Sequence, residues 1–274
     1  MSVYKTVQIS KLTSLFPLPI QSESKRKHIQ RFLTLKELSL PIFWFPLVRI
    51  MVEKVFSLTS ELILIIDRTQ WQNTNIFMIS VACKNRALPI YWKILDHKGA
   101  SNLIEQQAVI RPVLRLLKRY KILITADREF HSIFLSHWLK KSHKNQVYFV
   151  LRQGKSTSIK GGKKYCQISE LKVKVGTAQL LLNQKITKIK KVGIYNLLVY
   201  KKQKYLDNYV SEKWYILTNL SSIEKVKKVY SQRMGIEAMF KDYKSGGDYL
   251  EAAKANQTRL NNLILLIAIS YTIN

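Results

Sequence analysis

Three acids stand where acids could do chemistry together. Asp67 closes the apolar run Leu62 to Ile66, and Asp127 closes a second run that starts at Ile122-Leu123-Ile124. Glu237 lies in Tyr230-Ser231-Gln232-Arg233-Met234-Gly235-Ile236-Glu237, a stretch that continues to Lys244. Acids arriving from separate parts of a chain can share hard divalent cations. Two such cations about 4 Å apart activate the attacking oxygen and stabilise the leaving oxygen in phosphoryl transfer. Magnesium needs only a few protein carboxylates, because water and substrate phosphate complete its octahedron. The same residues have plainer explanations. Acids often follow buried strands as turn starters or caps, and a glutamate flanked by arginine and lysine also describes a salt-bridged structural helix.

The elements that must position these acids follow from periodicity. A short continuous apolar run reads as a strand buried on both faces, so Leu62–Ile66 predicts a strand that ends at Asp67. Ile76–Cys83 and Leu88–Leu95 read as two more strands joined by a turn at Lys84-Asn85-Arg86. Helical spacing covers Asn102–Tyr120, a fourth strand leads to Asp127, a second helix spans Ser132–Lys141, and a strand follows at Val147–Leu151. A three-stranded meander followed by right-handed helical crossovers would add parallel strands beside the first. That order predicts an α/β fold, a ribonuclease-H-like mixed sheet flanked by helices, in which Asp67 and Asp127 meet. On one continuous helix, Tyr230, Arg233, Glu237 and Lys244 fall within about 60° of one another, beside an apolar stripe of Val226, Val229, Ile236 and Phe240.

The rest of the chain sorts by composition. Residues 1–60 carry a basic cluster, Lys25-Arg26-Lys27-His28 with Arg31, and read as a helical segment that faces DNA or simply as a solvated helix face. Residues 147–220 alternate apolar with Lys or Tyr, as in Leu171–Val175, Ile186–Val192 and Leu197–Tyr205, between scattered glycines; this is a β-rich insertion inside a catalytic domain spanning 61–274. Lys plus Arg number 46 against 17 Asp plus Glu, a net charge of +29, which calls for a polyanionic partner and puts nucleic acid first. Two cysteines, Cys83 and Cys166, make no disulfide framework or four-ligand zinc site. With no signal-peptide pattern at the start, the expected compartment is the cytoplasm, on the nucleoid. The longest apolar run, Leu263–Ile269, is too short to span a membrane and reads as a core helix.

The spacing Y-x(2)-R-x(3)-E-x(6)-K, met by Tyr230, Arg233, Glu237 and Lys244, resembles the signature of the insertion-sequence-four family of DDE transposases. Ile66-Asp67-Arg68-Thr69-Gln70-Trp71 looks like that family's first-aspartate motif and Ala126-Asp127-Arg128-Glu129-Phe130 like its second. The resemblance covers about residues 62 to 270, including a β insertion before the glutamate. It implies that Asp67, Asp127 and Glu237 are catalytic ligands for Mg2+ or Mn2+. It also implies that Arg128, Arg152, Tyr230, Arg233 and Lys244 grip DNA phosphates, suiting the fork of arginine and the point charge of lysine. Trp214, before a Leu-Thr strand end, is similar to a tryptophan that stacks on a flipped base in a hairpin-forming branch of the family; a core tryptophan is the other reading. The implied activity is metal-dependent cleavage and strand transfer at the ends of an insertion sequence, cut-and-paste, by a homodimer on paired double-stranded DNA ends, at terminal inverted repeats and a target. Three alternatives stay open: an inactive remnant whose amino-terminal region has been trimmed but which still binds DNA, a ribonuclease-H-like nuclease without strand transfer, and a non-enzymatic basic DNA-binding protein.

Overall fold

A computed structural model of the chain describes residues 6–84, 86–142, 146–161, 164–187, 192–202, 212–246 and 248–273. Three helices come first: α1 (Ile9–Ser14), α2 (Ser22–Phe32) and α3 (Phe45–Val55), the last entered through a π turn at Leu40–Trp44. The meander follows as β1 (Glu61–Trp71), β2 (Thr74–Cys83) and β3 (Arg86–Leu95). Then come α4 (Leu103–Leu116), β4 (Lys121–Ala126), α5 (Ile133–Ser142) and β5 (Val147–Arg152). Asn102 starts α4 with a reciprocal capping box: its side chain accepts from Glu105 N and its N–H donates to the Glu105 carboxylate.

One eight-stranded sheet has the order β3-β2-β1-β4-β5-β10-β9-β8. β1 pairs antiparallel with β2 and parallel with β4, and β4 pairs parallel with β5. A meander whose first strand takes a parallel neighbour, β4, with β5 added parallel beyond it, each through a helical crossover, is the ribonuclease-H-like arrangement, as the sequence predicts. The remaining strands are β6 (Ser158–Gly161), β7 (Lys164–Gln167), β8 (Ala178–Lys185), β9 (Ile194–Lys202) and β10 (Glu212–Thr218). β6 and β7 form a separate hairpin, but β10 returns to pair antiparallel with β5, so β8 to β10 prolong the central sheet. The strand positions in this region differ from expectation. Leu171–Val175 lies outside any strand, β8 occupies Ala178–Lys185, and Ile186 makes only an isolated bridge to Ile159. Residues 188–191 and 203–205 of the expected strands lie outside the described residues, as do Asn85, His143, Gly162 and Gly247.

The first strand is also longer than its apolar run. The parallel ladder with β4 stops at Ile66↔Ala126, but the antiparallel ladder with β2 continues through Asp67↔Met78 to Trp71↔Thr74. Asp67 is therefore inside β1 rather than at its end. It sits one residue past the point where β1 loses its parallel neighbour.

The helices close both faces. α6 (Ile223–Ser231), α7 (Met234–Lys241) and α8 (Gln257–Ile273) complete the chain. α8 buries Leu260, Leu263, Ile264, Leu265, Ile267 and Ala268, so the longest apolar run is a core helix as expected. Among the described residues no helix is long and apolar enough to cross a membrane. Residues from the first sixty join the same core: Val7, Leu33, Val48 and Val52 are fully buried, and Asn262 of α8 donates to Leu33 O. Trp44 donates from its indole to Ile90 O at the register shift of β3, covering the edge of the sheet.

Candidate functional site

Parallel strands present their carboxyl ends to a crevice that loops can line. Here the crevice opens where β1 and β4 part, and it receives Asp67 from β1 and Asp127 from the residue after β4. Glu237 enters from α7. That helix is not continuous with α6: a turn at Gln232 and Arg233 separates them, and a π turn at Asp242–Gly246 follows, so the single-helix geometry for Tyr230 to Lys244 does not hold. What survives the break is convergence. Val226, Val229, Ile236 and Phe240 are all buried and set both short helices against the sheet. Gly235 lets α7 approach β3 closely, since a Cβ there would lie 3.2 Å from the Arg86 carbonyl carbon and 3.3 Å from Ala87 N. Hydrophobic periodicity in the sequence carries no mark of that glycine.

The acids interact. Burial raises the Asp67 carboxyl to about 6; the N–H of Arg68 and the charge of Arg233 work against that rise, and Asp127 and Glu237 add to it. Arg233 reaches Glu237 at 2.6 Å and Asp67 at 3.8 Å, so its guanidinium supplies counter-charge between them. Arg152, at the end of β5, lies 3.8 Å from Asp127 and 2.6 Å from Glu212, and it donates to the Tyr230 hydroxyl at 3.4 Å. Burial works to lower both guanidinium groups, but Tyr230 and Glu212 hold Arg152 above its usual range, and Asp127, Glu237 and Tyr230 do the same for Arg233. Burial also pushes the Tyr230 phenol up.

The other expected residues separate. Trp214 is half-buried on β10, edge-to-face with Tyr230 (ring centroids 4.7 Å apart) and with Tyr200 (5.4 Å), and Lys202 lies over its ring. It thus borders the crevice through Tyr230 while belonging to an aromatic cluster, which accommodates both sequence readings. Arg128 is exposed in the short 3-10 turn after Asp127. Lys244 goes elsewhere: it reaches Gln70 O and Glu251, each at 3.5 Å, and lies over the Trp71 ring at the far end of β1. Glu212, the acid that pairs with Arg152, was not among the expected residues; nothing in its surroundings in sequence marks it.

The donor set suits a hard cation. Three carboxylates share one crevice, and Asp127 Oδ1 is buried without a hydrogen-bond partner. Arg152, 3.8 Å from that oxygen, is beyond hydrogen-bond reach, so the oxygen costs free energy until a closer polar partner meets it. Among the described residues no three His, Cys, Asp or Glu side chains already stand at ligand spacing, and the Arg233 guanidinium lies between two of the acids. A cation would have to take over the counter-charge that Arg233 supplies.

Comparison with solved structures finds piggyBac transposase in a synaptic complex with hairpin DNA, at 14% identity and a TM-score of 0.46, over 90% of this chain and 55% of that one. It also finds the Argonaute of Aquifex aeolicus, at 10% identity and a TM-score of 0.33, over 77% and 29%. The chain spans 55% of the transposase it matches. Comparison with curated protein sequences finds no match. The family model described as "Transposase DDE domain" matches residues 59–273, which takes in β1 to α8 and every residue of the crevice. The chain belongs to the Transposase DDE domain family.

Proposed function

We propose that this protein is a DNA transposase in which Asp67, Asp127 and Glu237 hold divalent cations, Mg2+ or Mn2+. The observation that carries the reading is their convergence at the mouth between β1 and β4, inside a family match of residues 59–273. The bound cations would activate the attacking oxygen and shield the leaving one. The protein's own side chains do the rest. Asp67 comes from β1, Asp127 from the residue after β4 and Glu237 from α7, so the ligands meet only in the folded chain. Arg152 and Arg233, now paired with these acids, are placed to turn their forks to the phosphates of a strand entering the crevice. Tyr230 orients Arg152 through its hydroxyl. The finer reading is cut-and-paste transposition: a homodimer brings together two double-stranded ends at terminal inverted repeats, cleaves them and joins them to target DNA.

The test uses DNA carrying the inverted repeats that flank the coding sequence. Asp67→Ala, Asp127→Ala and Glu237→Ala should each abolish strand cleavage in Mg2+ or Mn2+ while retaining DNA affinity, since affinity rests on the basic surface. Cleavage surviving any one of these changes, or proceeding fully in a chelator, would refute the assignment.

A further inference from the structure

Beside the three acids lies a fourth, Glu129, two residues past Asp127, and the structure shows what it is used for. Its Oε1 accepts from Arg68 Nε at 2.8 Å and from the N–H and hydroxyl of Ser101, both at 3.2 Å; its Oε2 accepts from Arg68 Nε at 2.9 Å. Arg68 in turn donates from Nη1 to Gln70 Oε1 at 3.0 Å and to Asn75 Oδ1 at 2.9 Å. Asn75 is fully buried and donates to His97 O and Gly99 O, in the loop between β3 and α4. The carboxylate of Glu129 is thus committed to protein donors, whereas Asp127 Oδ1 accepts no hydrogen bond and has the Arg152 guanidinium at 3.8 Å.

We propose that Arg68 and Glu129 form a brace that sets the spacing of Asp67 and Asp127. This rests on the metal-site reading above. The backbone ladder between β1 and β4 ends at Ile66↔Ala126, one residue before each aspartate. Past that point main-chain hydrogen bonds no longer join the two strands. The brace resumes the connection: Arg68 follows Asp67 directly, Glu129 stands on the turn that follows Asp127, and neighbouring strand residues project to opposite faces, so Arg68 turns away from the side that Asp67 occupies. Both side chains are mostly buried, 15% and 19% exposed, and the contact is charge-assisted, which gives it the stiffness a ligand spacing needs. Asn75 and Ser101 anchor it to β2 and to the loop that leads into α4.

Glu129→Gln, Arg68→Gln and the double variant, with Asp67→Ala as reference, would be compared with wild type by Mn2+ titration calorimetry, by cleavage of end DNA at saturating Mn2+, and by thermal unfolding. The single variants should bind Mn2+ roughly ten- to a hundredfold more weakly and cleave at least about tenfold more slowly, with DNA affinity unchanged. Because the pair acts as a unit, the double variant should be no worse than the poorer single one. Arg68→Lys and Glu129→Asp keep the charges but alter the fork and the reach; they carry the same comparison if the glutamine variants do not fold. Wild-type Mn2+ affinity in the folded braced-pair variants, or cleavage falling only in proportion to unfolded protein, would overturn the brace. Asp67→Ala separates the two ideas. Unchanged Mn2+ binding in that variant would sink the metal site itself, and the brace would then be judged on the cleavage ratio between folded variant and wild type.

Discussion

Burial raises the Asp67 carboxyl to about 6, against an unperturbed 3.8, and that shift sets a stability cost at neutral pH. Between these values the folded protein holds a proton that the unfolded chain has released. Stability from this group is therefore complete below about pH 4 and is lost as pH rises through about 6. With 17% of the side chain exposed, the gap corresponds to at most about 3 kcal/mol. Asp67→Asn should accordingly melt higher than metal-free wild type at pH 8, the difference vanishing near pH 4, while a divalent cation should raise the melting temperature of wild type alone. Equal melting curves at pH 8 would show that Arg233, 3.8 Å away, already neutralises the acid. Stability given up at such a position is the usual signature of a site built for a ligand.

At the scale of elements, the placement of α7 matters more than its stability. Glu237 is two residues from Gly235, where a Cβ would press on the backbone of Arg86 and Ala87, which cannot swing aside as a side chain can. Gly235→Ala gains helix propensity of about 1 kcal/mol and loses a comparable amount to overpacking. Urea unfolding should therefore change by less than about 2 kcal/mol. Cleavage should fall at least about tenfold, because a small displacement of a ligand is costly in a preorganised site. A wild-type rate in this variant would mean that α7 can shift without moving Glu237. At Gln232 and Arg233 the backbone tightens to i→i−3 hydrogen bonds between α6, which buries Val226 and Val229, and α7, which buries Ile236 and Phe240.

For the whole molecule, a net charge of +29 would make the proposed DNA affinity a matter of counterion release. Affinity should fall about a thousandfold or more between roughly 50 and 200 mM salt, as for a protein making several phosphate contacts. Changing Lys201 and Lys202 on β9 to Ala should weaken binding with little effect on the rate from the bound complex, whereas Arg233→Ala should slow cleavage more than it weakens binding. These are read by titration and by single-turnover cleavage at saturating protein. The reverse pattern would place the cleavage face on the long arm of the sheet formed by β8 to β10.

Sequence alone determined the ribonuclease-H-like order, because long apolar runs and helical periods report on burial that is local to each element. Asp67 and Asp127 were legible for the same reason: each follows a run whose only stable place is the middle of a sheet. Val226, Val229, Ile236 and Phe240 likewise announced the face that α6 and α7 bury. Tertiary pairing decided the rest. β1 outlasts its apolar run because β2 supplies a partner that β4 does not, and the helix wheel fails at Gln232 because the hydrogen bonds there shorten to i→i−3, which changes the turn per residue. The strands of residues 147–220 were misplaced because half-exposed, lysine-rich strands alternate weakly, and their register comes from pairing with β5 and with one another. The network of Arg68, Glu129, Asn75 and Ser101 was invisible in the same way: its members are drawn from four separate elements, and only folding brings the mostly buried Arg68 to the Glu129 carboxylate.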